Sequence, residues 1–84
     1  MNKLNLIIFK LPALYEIFEE IKSELNFNFF YYSEINNEFK NLVSKNPKIL
    51  VICSEKNKYF KNYLNITKAL KIRNLIHQIK AFSH

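Results

Sequence analysis

The chain has 84 residues, 49% of them apolar and 24% charged, with a formal net charge of +6. That length makes a single domain near the lower end of what folds alone, burying roughly 60–65% of its unfolded surface, and the apolar share argues against disorder. Glycine and aspartate are both absent and cysteine occurs once, which excludes a Gly-rich phosphate loop, an intramolecular disulfide and a cysteine zinc site.

Residues 4–9 (LNLIIF) alternate little and read as an interior strand. Pro12 then stands where a helix begins, because its missing N–H costs nothing at the first helical position. Over residues 11–25 the apolar side chains fall at 11, 14, 15, 18, 21 and 25, a 3.6-residue stripe that predicts a helix. Glu16, Glu19, Glu20 and Glu24, with Lys22, take its other face. Paired carboxylates suit acid/base chemistry, but on a solvated face without a nearby histidine they read as surface.

Residues 27–32 (FNFFYY) form an aromatic strand. Such rings can stack bases; without interleaved Arg or Gly they read as core and edge packing. Ser33 is the expected N-cap of a second helix running to Lys45, with Ile35, Phe39, Leu42 and Val43 inward. Asn46-Pro47 stops it. Ile49 to Cys53 then gives five successive apolar residues, three of them β-branched, a strand with no wet face. Such a strand belongs at the centre of a parallel sheet with helices on both sides. Cys53 lies inside it and reads as structural, since a reactive thiol wants an exposed, electropositive setting.

After Ser54, EKNKYFKN is a polar basic loop, with room for one helical turn at Tyr59 and Phe60. Residues 63–67 (YLNIT) read as a short outer strand. Residues 71–82 are amphipathic, with Ile72, Leu75, Ile76, Ile79 and Phe82 on one stripe. Lys71, Arg73, Asn74, His77 and Lys80 fall mostly outside it, so His77 reads as a surface residue and not a ligand.

The order β-α-β-α-β-loop-β-α, with right-handed crossovers, predicts a three-layer α/β sandwich. Its parallel sheet would have about four strands in the order 2-1-3-4, helices one and three on one face and helix two on the other. Residues 1–84 form one domain without linker or repeat. No run approaches the roughly 20 apolar residues of a membrane span, and no cleavable signal precedes Leu4. The expected location is cytoplasmic.

The charge is uneven. Residues 1–40 hold six Glu against four Lys, whereas residues 41–84 hold eight Lys and Arg73 against Glu55. Such a dipole favours a head-to-tail contact or an acidic partner as readily as phosphate. Only one of the 13 cations is arginine, the residue preferred for bidentate phosphate and base contacts. The excess of Lys, Asn and Ile fits codon drift in an AT-rich genome. Nucleic-acid binding through Lys56, Lys58, Lys61, Lys68, Lys71 and Arg73 with Tyr59, Phe60 and Tyr63 is therefore the second reading.

Tyr63-Leu64-Asn65-Ile66-Thr67-Lys68-Ala69-Leu70, followed by Leu75-Ile76 and Ile79, is similar to the closing segment of response-regulator receiver domains, the CheY-like family within the flavodoxin-like fold. There a strand ends in lysine, followed by proline, a hydrophobe and an amphipathic last helix. Lys68 falls on the lysine and Ala69 stands at the proline; Ile52-Cys53-Ser54 resembles the apolar strand that ends in Ser/Thr. The whole chain lies on that fold shortened by about one β-α unit. The departures are as informative. Where the family has an acid pair for Mg²⁺ this chain has Phe9-Lys10, and the phosphate-accepting aspartate has no counterpart. A hard cation wants several oxygen ligands, and near the strand ends only Glu55 offers any. Glu55 reads as a loop surface charge or as an imitation of the phosphorylated acceptor.

The resemblance thus implies a pseudo-receiver, with Ser54, Glu55 and Lys68 as remnants of the motif and with no enzymatic activity, metal, cofactor or small-molecule substrate. Such domains mediate dimerisation or control an attached output domain, often a winged-helix DNA-binding one, as the N-terminal module of a transcriptional regulator. A protein partner is expected, and DNA only through the output domain. The family's dimer face, around the last strand and helix, corresponds to Asn65, Lys71, Arg73, His77 and Lys80. Cations facing themselves there would repel, so a dimer on that face should be weak and favoured by salt. The acidic first helix offers a head-to-tail alternative that salt should weaken. A small phosphocarrier using Cys53 is a third reading, and it lacks an anion loop.

Overall fold

Strand β3 (Leu50–Cys53) is buried along its whole length, none of its four residues more than 1% exposed. In the computed structural model, which describes residues 4–66 and 71–82, β3 has a parallel strand on each side. Strand β1 (Leu4–Phe9) pairs with it through Leu6, Ile7 and Ile8, and β4 (Asn62–Asn65) through all four residues. Strand β2 (Phe27–Tyr32) runs parallel to β1 from Leu4↔Phe27 to Phe9↔Tyr32, giving the sheet order β2-β1-β3-β4.

The pleat sends alternate residues to opposite faces, and both faces are dry. Leu6, Ile8, Leu50 and Ile52 pack with Phe18 of α1 (Pro12–Glu20) and with Leu75 and Ile79 of α3 (Ile72–Phe82). Ile7, Phe9, Val51 and Cys53 pack with Phe39 and Val43 of α2 (Asn37–Lys45). The sandwich, the strand order and the division of the helices follow the sequence reading. Among the described residues, no helix is long and apolar enough to cross a membrane.

The boundaries shift for local reasons. The first helix ends at Glu20, and its apolar stripe continues through a tighter 3-10 turn, Lys22–Glu24, that delivers half-buried Leu25 to the core. The second helix is capped by Asn36, whose Oδ1 accepts from the Phe39 N–H at 2.9 Å, and not by Ser33. The pairing of Tyr32 with Phe9 fixes where β2 ends, so Ser33 to Ile35 must cross from the sheet to the helix layer. The last strand begins one residue early, where Asn62 Nδ2 donates to the Pro47 carbonyl at 3.2 Å. Its ladder is prolonged by the Ile66 N–H donating to Cys53 O at 2.7 Å. Thr67, the other end of the expected strand, lies outside the described residues.

At the amino end of the sheet three side-chain amides form a directional chain. Asn28 donates to Asn5 at 3.1 Å, Asn5 to Asn46 at 3.2 Å, and Asn46 to the Leu42 carbonyl at 2.9 Å. This ties β2, β1 and the end of α2 together through polar groups that would otherwise meet only water.

At the opposite end, Lys10 takes φ 57°, the left-handed region, while its N–H donates to Tyr32 O at 2.9 Å. Such a conformation costs an L-residue about 1–2 kcal/mol, whereas glycine adopts it freely but loses about 0.5–1 kcal/mol through its looser unfolded state. Lys10→Gly is therefore expected to leave the melting temperature unchanged or a few degrees higher. Lys10→Val, β-branched at positive φ, should lower it clearly. Thermal melts of the two variants check this ordering.

Candidate functional site

In an open parallel sheet, ligands meet the carboxyl ends of the strands where the connections diverge. Here that point lies between β1 and β3, and its loops carry Lys10, Leu11, Ser54 and Glu55. Lys10, Ser54 and Glu55 are exposed. The Lys10 ammonium lies over the Phe9 ring, 5.5 Å from its centroid. An amine, a hydroxyl and one carboxylate cannot reproduce a two-acid cation site. Among the described residues no group of three or more His, Cys, Asp or Glu is placed to hold a metal ion. Lys68, the third remnant of the receiver motif, lies outside the described residues.

Cys53 is fully buried, and burial pushes its thiol above the ordinary 9.0, partly opposed by a hydrogen bond from the Glu55 backbone. It therefore stays protonated at neutral pH and is a poor nucleophile. Burial, then the Glu38 charge, raises the Tyr32 hydroxyl. Tyr15 is raised by donating its hydroxyl to Glu19 Oε1 at 2.6 Å.

All three are acids that the fold holds neutral. Their contribution to stability is complete below the unfolded-state values and is lost as pH rises past them toward the folded ones. The melting temperature is expected to hold steady near neutrality and fall from about pH 8 upward, as the unfolded thiol ionises and the folded one does not. Cys53→Ala should flatten the first part of that fall while lowering the plateau. An unchanged alkaline limb in the variant's thermal melts would show that the thiol plays no part.

The expected interface residues are all exposed but do not share one face. Lys71, Arg73, His77 and Lys80 belong to α3 or its approach, in the layer that α3 shares with α1. Asn65 pairs in register with Cys53, whose side chain lies in the α2-side core, so Asn65 looks toward the opposite face of the sheet.

A different cluster forms on the α2 side. A groove of about 260 Å³ lies between α2 and the loop from β3 to β4. Phe39 and Val43 form its floor, Lys40 and Ser44 one wall, and Lys58, Tyr59 and Lys61 the other. The Lys40 and Lys58 ammonium groups lie 5.0 and 5.4 Å from the centroid of the Tyr59 ring.

The sequence groups Lys56, Lys58, Lys61, Lys68, Lys71 and Arg73 with Tyr59, Phe60 and Tyr63. The fold buries Phe60 against Phe9 and Phe39 and carries Lys71 and Arg73 to the other layer. Lys40, counted with the acidic half of the chain, joins the basic loop. A signal was present: Lys40 and Ser44 follow the buried pair Phe39 and Val43 by one position each, so one flank of the buried stripe is polar.

Compared with protein-family models, curated proteins and solved structures, the chain matches none.

Proposed function

We propose that the chain is a non-catalytic protein-interaction domain that works by self-association, with a receiver-like fold whose strand ends no longer support phosphoryl chemistry. The outer surface of the α1/α3 layer carries this reading. Exposed Glu16, Glu19 and Glu20 on α1 lie in the same layer as exposed Lys71, Arg73 and Lys80 at α3. That layer also exposes two large apolar side chains, Ile17 at 39% and Phe82 at 40%, of the kind that anchor an interface inside a polar rim.

A two-fold contact uses the same patch on both subunits. An axis between the two helices lays α1 of one protomer on α3 of its partner, acid against base. In the receiver family, which the chain resembles, dimerisation through the last strand and helix controls an attached DNA-binding output domain, and we assign that regulatory role to the α1/α3 contact here.

Sedimentation at low and high salt tests the reading. Screening shortens from about 10 Å at 0.1 M to about 3 Å at 1 M, so the dimer is expected to weaken as salt rises. Association that strengthens with salt would instead mark a cation-rich contact through β4 and α3, at Asn65, Lys71, Arg73, His77 and Lys80. A strict monomer at high concentration under both conditions removes self-association.

A further inference from the structure

The groove between α2 and the β3–β4 loop has three properties that belong together. Its first is positive charge with no acid beside it, eased only by the Tyr59 ring under Lys40 and Lys58. Lys40, Lys58 and Lys61 line it, no acidic residue does, and among the described residues no carboxylate lies within ion-pair distance of these three. Ammonium groups gathered around one small groove repel one another, and an anion relieves that repulsion.

The second is a fixed aromatic platform. Asn57 accepts from the Tyr59 N–H through its side chain at 3.1 Å and from the Phe60 N–H through its carbonyl at 3.0 Å. This turn drives Phe60 into the core, where it is 6% exposed, and leaves the adjacent Tyr59 ring 40% exposed. Tyr63, 42% exposed, adds a second ring to the same side of the sheet, because it pairs in register with Val51 of the α2-side core.

The third is shape. At about 260 Å³ the groove falls below the roughly 300–1,000 Å³ of enclosed small-molecule pockets. It suits a chain laid across it better than a ligand swallowed by it.

We infer that this groove binds single-stranded nucleic acid, a base stacking on Tyr59 while Lys40, Lys58 and Lys61 neutralise the flanking phosphates. An acidic peptide fits less well. An acidic side chain has no flat π-face to lay on the Tyr59 ring, which every base has. The Lys40 and Lys58 ammonium groups rest over the Tyr59 ring; an incoming base takes the place of one of them, and the displaced ammonium meets a flanking phosphate. The Ser44 hydroxyl adds a donor on the same wall. The site lies across the sheet from the α1/α3 layer and does not depend on self-association.

The test is fluorescence anisotropy with a labelled oligothymidylate over a salt series, using the full chain. Three neutralised phosphates predict a slope of log K against log salt of about −2, at about 0.7 per phosphate for single strands. Tyr59→Leu should weaken binding roughly 5- to 150-fold, the range for losing one stacked base, with the slope unchanged. The combined Lys40→Gln, Lys58→Gln, Lys61→Gln variant should flatten the slope, while Lys71→Gln with Arg73→Gln on α3 changes affinity less than about twofold. All these positions are exposed, and circular dichroism confirms folding of each variant. Three results would overturn the inference: no binding at low salt, an α3 variant as damaging as the groove variant, or polyglutamate competing as well as the oligonucleotide with Tyr59→Leu silent.

Discussion

Val51→Asp is expected to leave the domain without a cooperative thermal transition. Val51 is 1% exposed in the strand that has a paired neighbour on each side, and its side chain lies in the core beneath α2 with Ile7, Phe39 and Val43. A carboxylate there has no cation or donor to meet, and burying an unpaired charge costs several kcal/mol. Small domains have total stabilities of about 5 kcal/mol or little more, so that one change exhausts the margin. Asn65→Asp is the control. It adds the same charge on the same face one strand away, at an exposed position, and should change stability by less than about 0.5 kcal/mol. Circular dichroism melts compare the two, and a Val51→Asp protein that melts like the parent would show that β3 is not interior.

Phe39→Ala is expected to lower stability by about 3–5 kcal/mol, the cost of truncating a fully buried ring. Phe39 is 0% exposed and holds the α2 side of the sheet together. Its ring centroid lies 5.7 Å from Phe9, 5.6 Å from Tyr32 and 5.7 Å from Phe60. The contacts with Phe9 and Tyr32 are edge-on and that with Phe60 is tilted, and aromatic pairs add about 0.5–1.5 kcal/mol each beyond area burial. Among the described residues α2 is the one helix whose side chains enter this core, so no helix packed beside it is placed to fill the cavity. Phe39→Leu should recover much of the loss. In urea the Ala variant's midpoint should fall with its slope unchanged, since the surface exposed on unfolding is nearly the same. A loss below about 1 kcal/mol would mean that α2 is not seated on the sheet through this ring.

The sheet was legible in the sequence because its evidence is local and redundant. Leu50 to Cys53 has no polar residue to give a wet face, residues 11–25 keep one apolar stripe, and right-handed crossovers then leave few ways to order the strands. What escaped depended on longer-range geometry. Ser33 and Asn36 are equally good caps, and the choice falls to Asn36 only because β2 must pair as far as Tyr32. Tyr59 and Phe60 are adjacent aromatic residues. Which one enters the core is decided by the turn at Asn57, which composition does not reveal. Lys40 belongs to a helix flank by periodicity, but periodicity cannot say which loop lies opposite. The carboxyl ends of β1 and β3 were read residue by residue as lacking a pair of acids, and that depends on no folding at all.

Because all the strands run parallel, none is joined to its neighbour by a hairpin. The pairings of β1 close long loops, the central one, Leu6 with Leu50, enclosing both crossovers, whereas β3 and β4 are joined by only the eight residues 54–61. Loop closure must be completed before such contacts reward it, which places this topology among slower folders than its small size suggests. Throughout that search β2, uncharged and aromatic, presents an unprotected strand edge, the kind of surface that pairs with another copy when concentration is high. Pairing with β1 covers only one side of β2, so in the finished sheet its outer edge is the surface through which crowded copies are expected to associate.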